Sequence, residues 1–85
     1  MREQEIEVGV VTEFFAQAGV AAVRLSSDVR IGDALRFKGH STDTIQDLSS
    51  IHIDGHPVRT AKSGDEVGIK VIERVRPRDK VLVED

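Results

Sequence analysis

His52, Asp54 and His56 stand two residues apart in the stretch SSIHIDGHPVRTAKSGDEVGI, residues 49–69. That spacing places side chains on one face of a strand, and two imidazoles with a carboxylate form a candidate zinc ligand set. Against it, Asp54-Gly55 is a strong tight-turn signal. A reversal there sets His56 across the turn from Asp54, on an exposed hairpin without a second layer of residues to orient the imidazoles. The stretch reads as a hairpin whose histidines are solvated, and no metal ligand is assigned.

Other chemistry finds less support. Ser26, Ser27, Ser41, Ser49, Ser50 and Ser63 include no nucleophile elbow. Asp33, Asp54 and Asp65 fall in turns, where a carboxylate bonds local backbone. Neither phosphate-cradling glycine pattern occurs, and Lys62-Ser63-Gly64 precedes a strand pattern rather than a helix. No cofactor, nucleotide or catalytic activity is expected.

The basic residues are the remaining lead. Arg36 and Lys38 project from one strand pattern, and Arg74, Arg76, Arg78 and Lys80 crowd the last turn. On one side of the fold they would track a phosphate backbone or meet a partner. The plain reading is a solvated face with local ion pairs to Glu73 and Asp79. With 15 acids against 12 bases the chain is not a dedicated basic nucleic-acid binder. It also lacks Trp and Tyr for base stacking. Val11, Phe14, Phe15 and Leu82 form a candidate apolar patch for a protein partner.

The elements that must position these groups have a period of two. Ile6, Val8 and Val10 alternate with Glu5, Glu7 and Gly9. Ala21, Val23 and Leu25 share a face, as do Leu35 with Phe37, Val67 with Ile69 and Val71, and Val81 with Val83. Thr12 heads the one segment with helical spacing and is a candidate cap for a single turn there, while Gly19 and the alternation after it argue against a longer helix. Thr42 to Asp54 reads as one strand whose parity slips between Leu48 and Ile51, so a bulge is expected near Ser49-Ser50. Gly32-Asp33 and Gly64-Asp65 repeat a turn.

Eighty-five residues make one domain, 1–85. The expected fold is all-β, a small closed antiparallel barrel of six to seven strands, since closure leaves no edge exposed. With no cysteine, no disulfide or thiolate site can form. A charged start without an apolar run, and no membrane-length segment, predict a cytoplasmic protein.

GVAAVRL, VRIGDALRFKG, LSSIHIDGHPVRTAKSGDEVGIKV and RVRPRDKVLV, taken in order, resemble the second-domain β-barrel of elongation factor Tu and its relatives. Gly32-Asp33, Leu48 to Ile51 and Ala61 to Ile69 carry the likeness, which spans about Glu5 to Val83. It is nearest to stand-alone translation-factor-like barrels of prokaryotes. A similar barrel ends some collagenase-like peptidases. Arg78-Asp79 departs from the glycine-aspartate that the family often has in its third turn. The resemblance implies a translation-protein barrel and a non-catalytic binding module docking on RNA (tRNA or ribosome) or a translation-related protein. Arg36, Lys38, Arg74, Arg76, Arg78 and Lys80 are its candidate contacts. The alternative is a protein-interaction accessory domain for a separately encoded enzyme, such as a collagenase-like peptidase.

Overall fold

The computed structural model describes residues 5–84. The alternating patterns become strands β1 (Glu5–Phe15), β2 (Val20–Leu25), β3 (Val29–Arg30), β4 (Ala34–Lys38) and β5 (Asp43–Asp47), followed by β6 (Ile51–Ile53), β7 (His56–Val58), β8 (Thr60–Ala61), β9 (Glu66–Lys70) and β10 (Lys80–Glu84). Eight form one sheet in the order β5-β4-β10-β1-β2-β9-β6-β7, and β3 pairs with β8 beside it. Every pairing is antiparallel. The all-β class is as expected, and the described residues include no helix.

Closure is where expectation and structure part. Among the described residues no backbone ladder joins β5 to β6 or β7, so the sheet is not closed into a barrel. Yet β5 and β6 are linked only by residues 48–50, and the chain from Asp47 to Ile51 can span at most about 14 Å. The sheet must therefore curl until its ends are close neighbours. Instead of the bulge expected near Ser49-Ser50, the strand breaks there, and Leu48 and Ile51 are both buried. Gln46 then spans the open seam with its side chain. Its Nε2 donates to the Lys70 carbonyl at 2.8 Å, and its Oε1 accepts from the Ile72 amide at 3.0 Å.

β1 is long enough to pair with β10 along one part and β2 along another. Its register shifts between Glu7 and Gly9 and again between Val11 and Glu13. The first irregularity re-phases the strand, so Val8, Gly9 and Val11 are buried while Ile6 is 49% exposed. The segment after Thr12 stays extended instead of turning helical: Thr12 Oγ1 donates to the Ala22 carbonyl, and β1 runs on to Phe15. Gly19, with φ 67°, ends the connection by donating to the Phe15 carbonyl.

Gly9 lies where β10 and β2 both meet β1. A Cβ there would sit 2.7 Å from the Arg24 carbonyl oxygen and 2.9 Å from Val23 Cγ1. The backbone contact cannot yield without moving β2. Gly9→Ala is therefore expected to cost about 1–3 kcal/mol, measured as a lower urea midpoint at unchanged slope. A midpoint equal to that of the parent would show that β2 gives way freely.

Candidate interaction surface

Three turns share one construction. In each, the first residue is basic and its amide donates to the carboxylate of the fourth: Arg30 to Asp33, Lys62 to Asp65 and Arg76 to Asp79, at 3.0, 2.9 and 2.8 Å. In each, the aspartate amide returns a bond to the first residue's carbonyl. The third residue has positive φ: 100° at Gly32, 94° at Gly64 and 79° at Arg78. Positive φ at that position is the normal requirement of a turn of this kind, and glycine meets it without a Cβ penalty. Only the last turn places a side chain there. Asp79, 4% exposed, also packs against Gly39, so this turn is clamped to the β4–β5 hairpin.

The candidate cations divide into two groups. Arg36 is already occupied. Its Nε and Nη2 hold both oxygens of Asp43 at 2.8 Å, and Nη1 donates to Glu5 at 2.6 Å. This bidentate-plus-one arrangement ties β4 to β5 and to β1 across β10, and it removes Arg36 as a free contact for a partner. Hydrogen bonds from its guanidinium hold the Asp43 and Glu5 carboxyls below their ordinary ranges, and the same bonds raise the Arg36 pKa further.

A carboxyl with a lowered folded-state pKa contributes stability above its unfolded value and loses it as pH falls through the lowered one. The window is acid, below about pH 4. Arg36→Gln should accordingly flatten the fall of stability with acidification in that window. Parallel pH curves for variant and parent would contradict this.

In the second group the three arginines are unpaired among the described residues. Arg74, Arg76 and Arg78 are exposed, and no carboxylate among the described residues lies within 4.0 Å of them. The expected local ion pairs are not formed, because Asp79 spends its carboxylate on the Arg76 amide. Val75 is buried between Arg74 and Arg76, which anchors the segment and turns both arginines outward. The Arg78 amide donates to the Val11 carbonyl, fixing the turn against β1. Lys80 and Lys38 are direct cross-strand partners at the same end, with Lys80 4.0 Å from Glu7.

The candidate apolar patch does not assemble. Val11 is 1% exposed because the shift in β1 turns it into the core. Phe14 packs against that core, and Leu82 is half-buried beside its partner Arg36. Phe15 alone is exposed, at 46%. The histidine hairpin forms as read: Asp54 and Gly55, at φ 51° and 79°, make a two-residue turn, and Ile53 pairs with His56. His52 pairs with Pro57, one register step away, so the two imidazoles lie on opposite faces. His52 instead borders a shallow outer dish of about 350 Å³ with Val20, Ser50, Gly68 and Lys70. For Arg30 and Lys62 as turn residues, the signal in sequence is the basic-x-Gly-Asp spacing at 30–33 and 62–65.

No protein-family model matches the chain. It is 34% identical over 81 residues to an uncharacterized protease of Methanocaldococcus jannaschii, covering 94% of this chain and 20% of that protein. It is 35% identical over 80 residues to a collagenase of Porphyromonas gingivalis, covering 92% of this chain and 19% of that protein. The chain thus spans about a fifth of the length of these curated relatives. Its fold is that of the C-terminal domain of a Geobacillus thermoleovorans protein assigned to the U32 peptidases. The two superpose with a TM-score of 0.88 at 23% identity, covering 94% of this chain and 93% of that one. These findings overturn the resemblance to elongation factor Tu and the RNA-binding, translation-related reading drawn from it. Relatives in sequence and fold are of the peptidase and collagenase kind. The likeness to barrels that end collagenase-like peptidases was the pertinent one.

Proposed function

We propose that this chain is a non-catalytic accessory module of collagenase-type peptidases, acting by association with protein. The observation that carries the reading is one of proportion. More than nine-tenths of this chain aligns with about a fifth of proteins named as a protease and a collagenase. Four-fifths of those relatives therefore lies outside the match and has room for the catalytic machinery. The chemistry of this chain is consistent with that division. Its turn aspartates are engaged with backbone amides, and its hairpin histidines diverge.

The reading is tested by incubating the purified chain with fluorescein-labelled gelatin over a range of concentrations. No release above the protein-free control is expected. Release that scales with chain concentration and disappears in His52→Ala would contradict it.

A further inference from the structure

Arg78 occupies a position that its two sibling turns give to glycine. Left-handed backbone at a residue with a Cβ is a local strain, and such strain persists where something else requires the side chain. What surrounds Arg78 suggests the requirement: Arg74 and Arg76 on the same segment, both exposed and without an acidic partner among the described residues. Lys38 and Lys80 stand at the clamped hairpin end. Three guanidiniums within five residues, unpaired among the described residues, are a local inversion in a chain of net charge -3.

We propose that the edge formed by Arg74, Arg76 and Arg78 docks an acidic, extended protein segment, and that Arg78 is retained at the cost of backbone strain to complete it. The inference deepens the accessory-module reading by giving the chemistry of the surface its partner must present. Guanidinium forks match carboxylates bidentately. Arg74 and Arg76 flank the buried Val75, so both point outward on the same side, two residues apart. Alternate side chains of a facing extended peptide repeat at the same spacing, about 6.6 Å. A nucleic-acid occupant is disfavoured by the aromatics. Phe37 is fully buried, and Phe14 packs against the core. Phe15 lies four residues beyond the Val11 carbonyl that fixes the basic turn, about 13 Å along an extended strand. No stacking platform therefore stands at the arginine edge.

The test measures affinity and stability together on the full chain. The probe is a fluorescein-labelled dodecapeptide of alternating glutamate and serine, with an oligouridylate of equal charge as the second arm. Arg78→Gly is expected to weaken peptide binding at least tenfold at low salt while raising the melting temperature by several degrees, as relief of the strained turn requires. Arg78→Lys keeps the charge and the strain but loses the fork, so it should bind more weakly than the parent and more tightly than Arg78→Gly, with no gain in melting temperature. Three results would overturn the proposal: unchanged peptide affinity in Arg78→Gly, no rise in its melting temperature, or tighter binding of oligouridylate than of peptide by the parent. None of these depends on peptidase activity, so the surface and the accessory-module reading can fail separately.

Discussion

Gln46→Leu should lower the unfolding free energy by about 3 kcal/mol, although leucine is apolar and close in size to the residue it replaces. The Gln46 side chain faces inward on β5, where its partner across the ladder is the fully buried Leu35. Its amide accepts from the Ile72 backbone and donates to the Lys70 carbonyl. Leucine would strand both backbone groups at a seam no ladder closes, and each stranded group costs about 1–3 kcal/mol. Gln46→Glu separates the two bonds. An ionised carboxylate can still accept from Ile72 but faces the Lys70 oxygen with no proton to donate. Its deficit should therefore shrink as pH falls and the carboxyl becomes neutral. Equal stability of Gln46→Leu and the parent by urea denaturation would mean the seam is held by burial alone.

Phe37→Ala should be more damaging still, costing about 3–5 kcal/mol. Phe37 is the largest fully buried side chain, on the inner face of β4 between Thr44 of β5 and Val81 of β10. Those neighbours are held by ladders on both sides, so the site cannot collapse to fill the void. A small domain is stable by only about 5–15 kcal/mol, so this variant should be largely unfolded at moderate temperature. Far-UV circular dichroism with a melting temperature near that of the parent would show a core able to repack around the loss.

Both variants act on features that sequence revealed unequally. The inward pairs Leu35–Phe37 and Val67–Ile69 were legible because alternation with Arg36 and Lys38, and with Glu66 and Lys70, leaves one choice of face. The Asp54-Gly55 turn was legible because both positions need positive φ. Val10 and Val11 were read to the wrong faces because a register shift in β1 leaves no mark in composition. Closure was misjudged for a related reason. Alternation says which way side chains point, but not whether the last pair of strands will bond. Here Gln46, an ordinary polar residue in a strand pattern, does with its side chain what a ladder would have done.

The basic surface was partly legible. Arg74, Arg76 and Arg78 could be named from spacing alone. That Arg36 is spent on Asp43 and Glu5 could not, because Glu5 lies 31 residues away in the chain and meets it only across the sheet. The peculiarity of Arg78 also emerges only beside the two glycine turns with the same hydrogen bonds. A sequence shows the missing glycine but not that the turn keeps its geometry without it.

The most direct measurement of the accessory-module account is a replacement experiment in the Porphyromonas gingivalis collagenase, whose matched segment is 35% identical to this chain over 80 residues. Gelatin hydrolysis would be compared for the intact enzyme, for a form lacking that segment, and for a chimera carrying this chain in its place. The account expects the deletion to lose most of the hydrolysis and the chimera to recover a substantial part of it. A deletion as active as the intact enzyme would contradict it, as would a chimera no better than the deletion despite being folded.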